Sequence, residues 1–297
     1  MPRRGRRIPE HYWGYILLAP AVLMVGALIL YPVVYSFYLS FFFKHAYLPM
    51  TRFVGFENYM RLFFESEDFW RSIKLGAIYA FGSVTLQLLM GVSAALLLTE
   101  TFVGRTFIRG VTLFPYMVPT IVVVILFRWL FNDAFGFFPY VLDFFGLERE
   151  SFMWMEPSNI MLTVILISTW TFLPFVVIGT LARLQTIDPE LYAAAMVDGA
   201  GVVRRFFHVT LPQIRNVLFV IILLRFIFMF TKFDVIWLLT GHSGLGYFVR
   251  TLPIYTFAVT FQQLQVGRGA ALSVIMFMIL AVFAMIYFRL FKRDENL

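Results

Sequence analysis

"PELYAAAMVDGAGVVRRFFHVTLPQ", Pro189–Gln213, interrupts a chain that is otherwise mostly apolar. Asp188 followed by Pro189 reads as a helix start: a capping carboxylate, then a residue whose fixed φ suits the first turn. Glu190 through Val197 reads as helix, and Gly199 ends it. Val202–Val209 reads as a second short helix, and Leu211-Pro212 as the start of a longer one. The spacing predicts a helix–turn–helix knob over about 186–211. Ala193, Ala194 and Ala195 are small enough for another surface to approach the backbone closely.

The rest of the chain decides what the knob is attached to. Of 297 residues, 61% are hydrophobic and only 14% charged. A soluble domain carries about 25% charged residues, so the fold class is an all-α membrane protein. The net charge of +7 reads as basic loops on one side of the bilayer and not as a nucleic-acid surface. With no cysteine, disulfides and thiol-based sites are excluded.

A span needs about 20 mostly apolar residues. Six stretches qualify, near 13–40, 73–99, 107–131, 159–182, 213–240 and 269–290. Pro20, Pro32, Pro115, Pro119 and Pro174 fall inside them, which predicts kinked helices in a bundle. The N-terminal stretch is too long for a signal-peptide core and reads as an uncleaved first span.

With the N-terminus inside, the inner segments hold 13 basic residues: Arg3, Arg4, Arg6, Arg7, Arg105, Arg109, Arg183, Arg204, Arg205, Arg215, Arg289, Lys292 and Arg293. The outer segments hold nine, Arg149 among them. This asymmetry places both termini and the knob in the cytoplasm. No internal repeat is visible, and residues 1–297 read as a single membrane domain. A short amphipathic helix is expected near Phe56–Phe69.

Catalytic chemistry is not expected. There is no G-x-x-x-x-G-K-[ST] and no H-E-x-x-H, and the four histidines, His11, His45, His208 and His242, lie far apart. "TGHSGLG" at 240–246 fails as a nucleophile elbow, because Leu245 stands where G-x-S-x-G requires glycine. It reads as an outer loop. No catalytic residue, metal site or cofactor is assigned to this chain.

The knob resembles the "EAA" loop of importer-type ATP-binding-cassette permeases: E-A-A, three residues, Gly, nine residues, I-x-L-P. Ala194, Ala195, Gly199, Leu211 and Pro212 fall on that pattern, and Asp198 and Ala200 on its extended form. Two positions depart. Ala193 replaces the leading Glu, removing any ion pair it would make, and Val209 replaces the Ile.

"YPVVYSFYLSF" at 31–41, "FVGFENY" at 53–59, "FPYMVPTIVVVILFRWLFND" at 114–133 and "GRGAALSVIMF" at 267–277 are similar to the carbohydrate branch of that family. The type most resembled is the larger membrane subunit of the maltose transporter. The resemblance implies a saccharide permease in a bacterial-type cytoplasmic membrane. It implies a second permease subunit, two ATPase subunits that carry ATP and Mg, and an extracytoplasmic solute-binding protein. Ala193, Ala194, Ala195, Asp198, Gly199 and Ala200 would then couple ATPase closure to alternating access.

Polar groups inside spans are costly and usually functional. Arg225, Met229 and Lys232, at i, i+4 and i+7, share one face of a continuous helix. On that helix Asp234 cannot pair with Lys232. Ser168, Trp170, Thr171 and Phe172, with Phe175 beyond, place an aromatic ring beside hydroxyls, a combination that suits a sugar. These residues form the expected substrate pathway. The maltose-type subunit is similar in placing its sugar contacts on these two spans.

The alternatives are a structural pairing for Arg225, snorkelling for Lys232 and plain packing for Trp170. Two cations on one buried face favour an anionic saccharide as a narrower expectation. A secondary transporter or channel is the competing function. It would need membrane carboxylates, of which Asp234 is the one well placed.

Overall fold

A computed structural model of the chain describes residues 10–146, 152–241 and 243–291. Arg3, Arg4, Arg6, Arg7, Arg149, His242, Lys292 and Arg293 lie outside the described residues. The chain divides into two compact units, Met1–Ser66 with Thr256–Met278, and Glu67–Tyr255 with Ile279–Leu297. Among the described residues, five helical segments are long and apolar enough to cross a membrane, and a sixth is a bent pair.

The first unit opens with α1 (Glu10–Val25), a π turn at Gly26–Leu30 and α2 (Tyr31–Leu39). Pro20 lies inside α1 and Pro32 in the first turn of α2. β1 (Phe42–Lys44) and β2 (Thr51–Phe53) pair antiparallel with Phe42 opposite Phe53. α3 (Glu57–Met60) follows and runs into a π turn at Arg61–Glu65, where an amphipathic helix extending to Phe69 is expected. Asn58 holds the hairpin, its Nδ2 donating to the carbonyls of Ser40 (2.9 Å) and Phe42 (3.0 Å). A Cβ at Gly267 would run into the Phe42 carbonyl, so glycine is required where the last helix crosses β1.

The second unit begins with α4 (Glu67–Leu97), which starts earlier than the expected span. α5 (Arg105–Met117) and α6 (Thr120–Leu130) bend 99° apart around Val118-Pro119, so the expected span at 107–131 is broken. Proline cannot supply the N–H that would continue α5. α7 (Phe137–Phe144) is short, and α8 (Ile160–Leu184) is the most buried span.

α9 (Pro189–Val197) is the knob helix. α10 (Val202–Arg205) passes through a π turn, Phe206–Thr210, straight into α11 (Leu211–Phe230). The expected boundary at Leu211-Pro212 is therefore absent: Pro212 lies in a helix already under way, and the π turn accommodates its missing donor. α12 (Asp234–Thr240), α13 (Leu252–Phe257), a π turn at Ala258–Gln262 and α14 (Val266–Phe291) complete the chain.

Small residues set the spacing of the central helices. A Cβ at Gly91 of α4 would meet Val176 Cγ1 of α8 at 2.7 Å, and one at Gly82 would meet Ile165 Cδ1 at 2.9 Å. On α8, Gly179 leaves room for Ile221 of α11, whose Cδ1 would stand 2.8 Å from an added Cβ. In lipid, where apolar burial gives little drive between helices, such close approach supplies the packing energy.

Candidate functional site

The knob helix is capped at both ends. Asp188 caps α9 by accepting from the Glu190 N–H at 2.9 Å. Gly199, at φ +73°, closes it. The Ala200 N–H reaches the Ala195 carbonyl (2.9 Å) and the Gly199 N–H reaches that of Met196 (3.0 Å). This pair of reversed bonds is the Schellman closure that satisfies the last carbonyls. Arg183, ahead of the knob, donates from Nε to the Gln213 carbonyl (2.9 Å) and from Nη2 to Gln213 Oε1 (3.1 Å), tying entry to exit.

Beneath the knob lies an apolar cluster of Ala95, Leu98, Val177, Leu184, Ile187 and Ile214, against which Tyr192 and Leu211 pack. The cluster thus joins α9, through Tyr192, to residues of α4, α8 and α11 by side-chain contact. Ala193, Ala194, Asp198 and Gly199 face solvent; Ala195 and Ala200 are half-buried.

The second feature is a buried polar centre. Arg225, 2% exposed, donates from Nε to Gln87 Oε1 at 2.8 Å and from Nη2 to Met229 Sδ at 3.6 Å. Its guanidinium also lies over the rings of Phe172 (5.0 Å) and Phe175 (5.6 Å). Tyr79 Oη and Ser168 Oγ share a hydrogen bond at 2.7 Å, and Gln87 Nε2 contacts Met229 Sδ at 3.6 Å. Three spans, α4, α8 and α11, meet at these groups.

Lys232 is placed differently from expectation. α11 ends at Phe230 and α12 begins at Asp234, so no continuous helix carries Lys232 on the face of Arg225 and Met229. The break turns Lys232 back onto Asp234, Nζ to Oδ1 at 3.0 Å. The assumption that these two cannot pair is thus corrected: it holds along a helix and fails across a break. Lys232 Nζ also lies 4.3 Å from the centroid of Phe172, the same ring that Arg225 approaches.

The other expected residues divide. Thr171 bonds its own helix at the Ile167 carbonyl (2.8 Å), and Trp170 packs edge-on against Phe127 (5.2 Å). Tyr79 and Gln87 are unforeseen members of the centre. Their signal is present in the sequence: with Ser83 between them they recur at i, i+4 and i+8 in a mostly apolar span.

Comparison with known proteins identifies the family. The family described as binding-protein-dependent transport system inner membrane component matches residues 87–295. The chain belongs to that family. The matched segment begins at Gln87 and takes in the knob, α8 and α11.

Among curated relatives of this permease family, the chain is 32% identical to the trehalose/maltose transport system permease protein MalF of Thermococcus litoralis, over 95% of each chain. It is 34% identical to the sulfoquinovosyl glycerol transport system permease protein SmoG of Agrobacterium fabrum, over 99% of this chain and 96% of that one. The fold is shared with a chain of a bacterial ABC transporter that imports the acidic polysaccharide alginate, at a TM-score of 0.83, 22% identity and 97% coverage of both chains. A second structure of an alginate transporter, in complex with an alginate-bound periplasmic protein, gives a TM-score of 0.84 at 21% identity and 99% coverage of both. As a member of this family, the chain is a multi-pass membrane component of an importer and carries the permease role.

Proposed function

We propose that this chain is one of two permease subunits of an importer for a saccharide in a bacterial-type cytoplasmic membrane. A solute-binding protein delivers the cargo from outside. Two ATPase subunits, which carry ATP and Mg, dock beneath, one of them on the knob. The observation that carries this is the knob itself: a helix capped at both ends, exposed on its Ala-rich face and packed through Tyr192 onto the inner ends of α4, α8 and α11. ATPase closure would push α9, and the contact cluster passes the displacement to the spans around the polar centre. This is alternating access biased by one docking element. The saccharide assignment is supported by relatives named for trehalose, maltose and sulfoquinovosyl glycerol transport.

The test is purification of the tagged chain, expressed with its genomic neighbours, in mild detergent, followed by uptake in proteoliposomes. Co-purification of an ATPase and a second permease, with ATP- and binding-protein-dependent saccharide uptake, is expected. Ion-driven uptake by the chain alone would overturn the proposal in favour of a secondary transporter.

A narrower reading concerns the charge of the cargo. Asp234 offsets Lys232, which leaves Arg225 as the cation of the centre with no carboxylate within ion-pair distance among the described residues. We infer that the cargo carries an acidic group. Competition of uptake by a uronate or sulfonate sugar, and none by its neutral counterpart, is the expected result. Equal competition by the neutral sugar would remove this reading and leave the permease assignment intact.

A further inference from the structure

Behind the exposed alanines of the knob, a groove of about 620 Å³ opens between the inner end of α4, Tyr192 of α9 and the α10 segment. Its apolar wall is formed by Val202, Val203, Phe206 and Phe207, and Tyr192 and Thr210 close its back with a shared hydroxyl hydrogen bond at 3.1 Å. Val202, Val203 and Phe207 are 74%, 71% and 56% exposed. Arg205 lines the same groove, and its buried Nε meets no acceptor among the described residues. Arg105 stands at the rim, donating from Nη1 to the carbonyls of Thr99 (3.3 Å) and Glu100 (3.4 Å), both groove residues.

The groove reaches Leu96 and Leu184, at the ends of α4 and α8, which is headgroup depth for helices that span the bilayer. An occupant must therefore be apolar along Val202–Phe207 and anionic at Arg205. A soluble anion would leave the exposed apolar wall uncovered, and a zwitterionic lipid would bring its own cation to a groove whose lining and rim carry two arginines against one glutamate.

We propose that the groove binds one acidic phospholipid, with its phosphate on Arg205, supported by Arg105, and an acyl chain along Phe207. Basic pockets at the ends of spans recognise headgroups through this pairing of charge with apolar wall. Glu100, also on the groove and exposed, opposes the phosphate and limits the affinity. The lipid would lie against Tyr192, the residue through which the knob packs on the spans, and so would stiffen the coupling path. The proposal rests on the membrane placement of α4, α8 and α11. It does not depend on the identity of the cargo.

The experiment is native mass spectrometry of the whole purified transporter, titrated separately with phosphatidylglycerol and phosphatidylcholine. One phosphatidylglycerol is expected to bind more tightly than phosphatidylcholine. Arg205→Gln should weaken that first site about fivefold, the contribution of one arginine near a lipid surface. Glu100→Gln should tighten it, and this change of sign guards against a variant that merely folds poorly. Equal binding of the two lipids, or an unchanged phosphatidylglycerol titration in Arg205→Gln, would overturn the proposal. So would loss of the ATPase subunits from Arg205→Gln with lipid binding intact, which would assign the groove to the protein partner. Saccharide uptake, measured in parallel, reports on the permease role independently.

Discussion

Arg225 and Gln87, 138 residues apart in sequence, are joined inside the membrane by a 2.8 Å hydrogen bond from Nε to Oε1. Gln87 gives a buried cation its only oxygen acceptor among the described residues; Met229 sulfur and two aromatic rings complete its surroundings. Removing that acceptor strands a charge away from water. Gln87→Leu is expected to cost about 3 kcal/mol. Replacing both partners, in Gln87→Leu with Arg225→Met, should restore part of the stability, because the stranded charge goes with the acceptor. Thermal midpoints of the detergent-solubilised complex check this. A single variant as stable as the parent would show that Gln87 does not hold Arg225.

The Lys232–Asp234 pair behaves differently because it is partly exposed, with side chains 20% and 41% accessible. Such pairs contribute about 1 kcal/mol or less. Asp234→Asn should therefore leave the thermal midpoint nearly unchanged while releasing a second cation beside Phe172. The expected consequence is selectivity: acidic saccharides should gain over neutral ones in competition for uptake. Unchanged selectivity would take Lys232 out of the pathway.

The contrast between these pairs explains what could be read in the sequence. The spans are legible because hydrophobic length is a one-dimensional property, and the knob because Asp188, Pro189 and Gly199 act through local backbone chemistry. The break at Val118-Pro119 announces itself as Pro119. The break at Thr231–Phe233 does not, since no proline or glycine marks it. Tertiary packing ends α11 there, and that alone brings Lys232 to Asp234. Gln87 is visible as a polar residue in an apolar span, but nothing local says that its partner lies on α11. Pairing between distant spans is set by helix packing, which sequence spacing does not encode.

Gly199 tests the knob. Its φ of +73° is the left-handed region, and nothing lies within 4 Å of the place a Cβ would occupy. The obstacle to substitution is thus conformational and not steric, about 1–2 kcal/mol for an ordinary residue. Valine should be worse than asparagine, which tolerates this conformation. Gly199→Val is expected to lower ATP-dependent uptake about tenfold through a misformed Schellman closure, with the spans intact. Gly199→Asn should retain most activity. Equal activity of the two variants would mean that the closure of α9 does not matter for coupling.

Gly91 tests the scaffold beneath. Its missing Cβ lets α4 approach Val176 and Leu173 of α8, and an added one would stand 2.7 Å from Val176 Cγ1. Val176 is fully buried. Gly91→Val should therefore force the two helices apart at the level of the polar centre, at a cost of about 1–3 kcal/mol. Gly110 on α5 is the matched control: it lies in a span, is exposed, and has nothing within 4 Å of its Cβ position. Gly110→Val should change stability by about 0.5 kcal/mol or less. Because Gly91 lies one turn from Gln87, its variant should also lengthen the Gln87–Arg225 contact and lose uptake together with thermal stability. A Gly91→Val protein that melts with the parent would show that α4 and α8 do not pack this closely.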